Sequence, residues 1–215
     1  MKLILASDLS CLLNKGYNLT GIQKEKMKIG WVTTASKVSR DQTFIEKVRK
    51  TITDNNYKFE EIDIEGKTKE ELKAFFEDKN VIHVEGGNTF YLLKAIKESG
   101  FADILKELLS EGKVYIGTSA GSYIMCPTIE VANWNDSGRD RFGMTDFTAL
   151  NYVPFVLKVH YKDDKDTLIK EKINILKYPL RILRDGQGIL VEDDKYTFFG
   201  IGDEVKITQT SFRIC

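Results

Sequence analysis

Five short apolar runs alternate with helix-period stretches over the first 119 residues, and this rhythm constrains the chain more than any other feature. The runs are KLILAS, KIGWVTTAS (28–36), FEEIDI, VIHVEGG (81–87) and VYIGTS. Between them lie DQTFIEKVRKTITDNN, with Phe44, Ile45, Val48 and Ile52 at helical spacing, and KTKEELKAFFED, with Leu72, Phe75 and Phe76 on one face. NTFYLLKAIKESG and FADILKELLSEG are two further helices, closed by Gly100 and Gly112 in the position that glycine favours after a helix. Strands separated by helices cannot pair as hairpins. The expected fold class is therefore α/β: a mainly parallel sheet flanked by helices, flavodoxin-like in type.

The later residues are less regular. Residues 130–150 mix polar, aromatic and glycine residues and read as one long loop, a kind of segment that is often functional. FVLKVHY reads as a strand, and KDDKDTLIKEKINILKYP as a charged loop and helix. LRILRDGQGILVEDDKYTFFGIG reads as C-terminal hairpin strands separated by DG and DD turns. With no repeat, low-complexity tract or proline-rich linker, the 215 residues are expected to form a single domain.

Charge excludes several function classes. Lys+Arg and Asp+Glu both total 32, which leaves no basic footprint for nucleic acid or an anionic membrane. No apolar run reaches the length of a signal-peptide core or a membrane span, and the three cysteines show no pairing pattern. A cytoplasmic location is expected. Neither a CxxC nor an HExxH metal spacing occurs, and no cofactor or metal is expected.

The stretch VYIGTSAGSYIM (114–125) carries the chemistry. Gly117-x-Ser119-x-Gly121 stands between a strand and a helix, the context in which a nucleophile elbow holds a hydroxyl at a strand's carboxyl end. The following helix would aim its amino terminus at the reacting group. A tight strand-to-helix connection uses the same small residues, so partners must decide. A serine needs a base, and there are two histidines. His83, between valines, reads as a packed strand residue; His160, where a strand gives way to an acidic loop, is the better candidate base. The orienting acid stays open among Glu130, Asp136, Asp140, Asp146, Asp163, Asp164 and Asp185. An oxyanion would find the N–H of Ala120 and a second donor in the EGGN turn at 85–88, which reads equally as an ordinary β–α turn.

HVEGGNTFYLLKAI followed by YIGTSAGSYIMCPTI and VPFVLKVHY resembles the peptidase E family, from about residue 80 to about 200. That family comprises aspartyl dipeptidases and relatives including cyanophycinases, on a fold like the class I glutamine amidotransferases. The resemblance implies a serine-type peptidase for short peptides, with Ser119 as nucleophile, His160 as base, Asp185 as acid, and Gly87 beside Ala120 in the oxyanion hole. Asn88, Arg139 and Lys162 are the candidate substrate contacts. Asp185 stands where the aspartyl dipeptidases carry glutamate, so it must approach differently or use a bridging water. The amidotransferases have cysteine at the elbow and an acid two residues past the histidine; here these are Ser119 and Lys162, which argues against glutamine hydrolysis. After His160 only Lys162, Lys165 and Lys170 offer cations, among Asp163, Asp164 and Asp166; Arg139 and Arg141 lie in the long loop. Weak or absent preference for amino-terminal aspartate is therefore expected. An esterase or isopeptidase with the same machinery, and a non-catalytic binding protein, are the alternatives. The expected partner is a small peptide, and the expected state a monomer or homodimer.

Overall fold

A computed structural model describes residues 1–39, 43–134 and 142–207. Side-chain alternation within the strands sorts the core onto two faces of one sheet. In β1 (Lys2–Ala6), Leu3 and Leu5 join one cluster, and Ile4 and Ala6 the other. In β2 (Lys28–Val32), Val32 faces the first, and Ile29 and Trp31 the second. β4 (Val81–Val84) and β5 (Val114–Thr118) divide the same way, and β3 (Lys58–Ile62) forms an edge. Helices Lys69–Phe76, Thr89–Ser99 and Phe101–Ser110 cover the first face; Thr43–Asp54 and residues 9–19 cover the second. Burial on both faces is what lets these strands be nearly continuous in apolar residues.

The seven-stranded sheet has the order β3-β2-β4-β5-β1-β8-β9, where β8 is Gln187–Glu192 and β9 is Lys195–Gly200. β3, β2, β4, β5 and β1 run parallel; β8 is antiparallel to β1, and β9 to β8. This is the expected flavodoxin-like arrangement, with the place beside β5 taken by the first strand of the chain. Helix ends follow local chemistry. Thr68 and Glu71 form a reciprocal capping box, a pairing that stabilises a helix start by about 1 kcal/mol. Gly100 ends the helix Thr89–Ser99 at φ 71°.

One expectation needs correcting. The DG sequence at 185–186 is not a hairpin turn. Its upstream strand, β7 (Leu180–Ile182), pairs in parallel with β6 (Val156–Lys158) in a separate two-stranded sheet, and β8 pairs with β1 instead. The β8–β9 hairpin at Asp193-Asp194 is present as expected. The helix expected after Ser119 is present as one turn, Ala120–Tyr123. The carbonyls of Ile124, Met125, Cys126 and Pro127 accept from the N–H groups of Leu150, Tyr152, Asn151 and Ala149, so the returning segment takes the place of further helix. Its dipole is correspondingly short. The start of the 130–150 segment is a 3-10 turn, Glu130–Trp134; residues 135–141 lie outside the described part.

Candidate active site

β5 delivers its last residue, Thr118, and then a sharp turn at Ser119, which has φ 48° and ψ −105°. An L-residue avoids this region unless its surroundings enforce it. The enforcement is visible. A Cβ on Gly121 would meet the Val84 oxygen at 2.0 Å, and one on Gly117 would meet the Gly121 carbonyl carbon and oxygen at 2.5 Å. The Ser119 N–H donates to the Ala6 carbonyl at 3.1 Å. The Ser122 hydroxyl lies 2.8 Å from both the Ala6 and Gly117 carbonyls, and the Tyr115 hydroxyl donates to the Gly121 carbonyl at 2.7 Å. The elbow is thus bonded to β1 and β5 and wedged against β4.

The turn after β4 lies against the elbow. A Cβ at Gly86 would sit 3.1 Å from Ser119 Cβ and 3.7 Å from its Oγ. Gly87 has φ 141° and lies so close to Ala35 that a Cβ would meet its carbonyl oxygen at 2.2 Å. The N–H groups of Gly87 and Ala120 donate to no other group among the described residues. Asn88 caps the helix Thr89–Ser99: its Oδ1 accepts the Tyr91 N–H at 2.9 Å, while its buried Nδ2 has no partner among the described residues.

His160 comes from the other direction, two residues beyond β6. It too has positive φ, 54°. Its Nε2 lies 2.9 Å from Ser119 Oγ, and its Nδ1 lies 2.6 Å from Asp185 Oδ1. An anionic acid can only accept, so Nδ1 carries the proton and Nε2 faces the serine hydroxyl as acceptor. The His160 hydrogen bond, assisted by the Ser7 hydroxyl and Lys162, holds the Asp185 carboxyl below its ordinary pKa against partial burial. Both side chains are about half exposed, at 41% and 54%.

Asp185 reaches His160 directly, without a bridging water, because its turn is tied to the end of β1. Ser7 Oγ donates to Asp185 Oδ1 at 2.9 Å and accepts the His160 N–H at 3.0 Å. Asp8 Oδ1 accepts the Gly186 N–H at 2.9 Å. Sequence reasoning missed Ser7 and Asp8. The signal available was Ser-Asp directly after a buried strand, at the edge where the site lies.

The other candidate acids are engaged elsewhere or lie outside the described residues. Asp146 pairs with Lys97 at 2.8 Å and Asp163 with Arg184 at 2.5 Å. Asp164 is an exposed surface carboxylate near Lys165, and Glu130 opens the 3-10 turn. Asp136, Asp140, Arg139 and Arg141 lie outside the described residues. Lys162 is exposed beside Asp185. His83 is fully buried, as expected, and burial pushes its pKa down to about 3.

Comparison with known proteins finds similar peptidases. Residues 16–199 match the model of peptidase family S51. An uncharacterized peptidase of Pasteurella multocida is 31% identical over 197 residues, covering 90% of this chain and 94% of the relative. A peptidase E of a Nostoc species is 35% identical over 134 residues, covering 62% of this chain and 52% of the relative. A crystal structure from Listeria monocytogenes, assigned to peptidase E, superposes with a TM-score of 0.81 at 26% identity, covering 94% of this chain and 98% of that one. On these matches the chain belongs to peptidase family S51 and is a peptidase.

Proposed function

We propose that the protein is a serine peptidase that hydrolyses short peptides through Ser119, His160 and Asp185. One observation carries the reading: a single imidazole stands 2.9 Å from a hydroxyl on an enforced elbow and 2.6 Å from a carboxylate. His160 Nε2 takes the Ser119 proton as Oγ attacks the scissile carbonyl. Asp185 holds the tautomer and stabilises the imidazolium that forms. The N–H groups of Gly87 and Ala120, which have no acceptor among the described residues, receive the oxyanion. His160 then gives its proton to the leaving amine, and water repeats the sequence on the acyl-enzyme. The half-exposed base and acid suit a small substrate that approaches from solvent.

The test is a panel of di- and tripeptides assayed with the wild type and Ser119→Ala. Hydrolysis of at least one peptide, lost in the variant, is expected; a variant with near-normal turnover contradicts the mechanism. Within the panel, Asp-Leu should exceed Ala-Leu by less than about tenfold in kcat/KM. A fixed arginine fork for the aspartate would give a hundredfold or more. Arg184, the arginine beside Asp185, is already bound to Asp163 and stacked over Tyr161.

A further inference from the structure

Beneath the elbow lies a buried carboxyl group that the reaction as derived does not use. Glu85 is 3% exposed. Its Oε1 accepts the Thr118 hydroxyl at 2.5 Å and the Gly86 N–H at 2.7 Å; its Oε2 accepts the Trp31 indole N–H at 3.2 Å. Thr118 immediately precedes Ser119, and Gly86 immediately precedes Gly87. One carboxyl oxygen therefore joins the two segments that carry the nucleophile and the free N–H groups.

The direction of the surrounding hydrogen bonds fits this role. Thr118 gives its only hydroxyl proton to Glu85, so it can act only as acceptor toward His83 Nε2, 3.4 Å away. His83 then carries its proton on Nε2, and its bare Nδ1 accepts from the Tyr17 hydroxyl at 3.4 Å. Every donor in the chain from Tyr17 onward points toward Glu85. Burial keeps His83 neutral, so its 3.7 Å approach to Glu85 is not an ion pair. Burial also raises the Glu85 pKa, opposed by the hydrogen bonds from Thr118, Gly86 and Trp31. By engaging the Gly86 N–H, the carboxyl fixes the orientation of the Glu85–Gly86 peptide, which leads directly into Gly87.

We propose that Glu85 is a positioning residue: it clamps the Gly86–Gly87 turn to the Thr118–Ser119 elbow and so sets the geometry of the oxyanion donors Gly87 and Ala120. The inference rests on the serine-peptidase reading. An oxyanion exists only in the transition state and intermediates, so a loosened clamp lowers kcat and leaves KM nearly unchanged. Loss of a single oxyanion donor typically costs about 10²–10³-fold in kcat, which bounds the effect expected for Glu85→Ala. Glu85→Gln keeps one acceptor oxygen for Thr118 and Gly86 but sets an amide N–H₂ against the Trp31 N–H. It should return to within about tenfold of wild type. Thr118→Val removes the hydroxyl at constant volume and should lower kcat by about tenfold.

The experiment titrates active sites with a fluorophosphonate, then measures kcat and KM per titrated site on the fastest peptide of the panel, together with the rate of fluorophosphonate labelling. Titration counts only folded, competent sites, so a purely structural role would leave both rates per site unchanged. Expected are a kcat defect in the order Ala, then Gln, with KM within about threefold of wild type, and slowed labelling in parallel. Wild-type kcat per site in Glu85→Ala overturns the proposal, as does a loss confined to KM. Should Glu85→Ala fail to fold, wild-type kcat per site in both Glu85→Gln and Thr118→Val overturns it. Activity retained by Ser119→Ala would instead remove the serine-peptidase reading itself.

Discussion

The two halves of the proposed site are built by different means. The nucleophile half is part of the sheet: Ser119 hangs between β1, β4 and β5, with glycines pressed on backbone and Thr118, Glu85 and His83 buried behind it. The base-and-acid half stands outside the strands of the main sheet. His160 and Asp185 follow β6 and β7, which form a separate two-stranded sheet, and hydrogen bonds with Ser7 and Asp8 hold their turns in place. Packing fixes the first half, and a few part-buried polar contacts fix the second. Substitutions in the first should therefore cost stability as well as rate, while those in the second should cost rate alone.

The largest separation of these costs should come from His160→Ala. Loss of a triad member lowers kcat by several orders of magnitude, about 10⁴–10⁶-fold. Because the side chain is 41% exposed, the melting temperature should stay within a few degrees of wild type. A matched thermal melt and peptide assay checks this; a large drop in melting temperature would place the histidine in the structural half after all.

Gly121→Ala should behave in the opposite way. The new Cβ would lie 2.0 Å from the Val84 oxygen, so β4 or the elbow must shift. Overpacking against backbone costs about 3 kcal/mol, which for a chain of this size lowers the melting temperature by roughly 6–12 °C. Activity should fall with it. An alanine variant as stable as wild type would contradict the close packing.

Ser7→Ala tests the ties of the exposed half. It removes one donor to Asp185 and the acceptor of the His160 N–H. Each net hydrogen bond is worth about 1 kcal/mol, and a drop of about tenfold in kcat is expected with little change in KM. Unchanged kinetics would mean that the Asp185–His160 contact holds itself.

The smallest effect concerns acid stability and belongs to the buried half. The His83 pKa falls from 6.5 to about 3 on folding. The unfolded chain thus binds a proton that the folded one refuses between those values, and stability falls as pH drops from 6.5 toward 3. The slope from one such group is at most about 1.4 kcal/mol per pH unit. Glu85, raised on folding, acts oppositely: its contribution is present below its unfolded pKa and fades as pH rises through the folded one. Urea midpoints between pH 7 and 5 for wild type and His83→Asn should show the steeper acid slope in wild type. Parallel slopes would mean that His83 titrates normally.

The same division explains what was legible in the sequence. The elbow and the glycine turn were readable because their constraints are local: small residues at fixed offsets, between a strand and a helix. His160 was readable because the only other histidine lies between valines inside a strand. Asp185 was assignable only through family resemblance, because its position is set by Ser7 and Asp8, each 178 residues away in sequence from its bonded partner in that turn. The DG pair resembled a hairpin turn because sequence does not reveal that β8 would pair with β1 rather than with β7. Glu85 stood in plain sight in EGGN, but its proposed role depends on a threonine 33 residues further on, on the neighbouring strand.

The central claim is that this one serine is activated by this one histidine, and covalent labelling tests it most directly. The protein would be treated with a fluorophosphonate, digested, and the adduct located by mass spectrometry, alongside Ser119→Ala and His160→Ala. The account predicts one adduct per chain, on Ser119, absent from Ser119→Ala and formed at least a hundredfold more slowly in His160→Ala. An adduct on another residue, or equal labelling of Ser119 without His160, would contradict it.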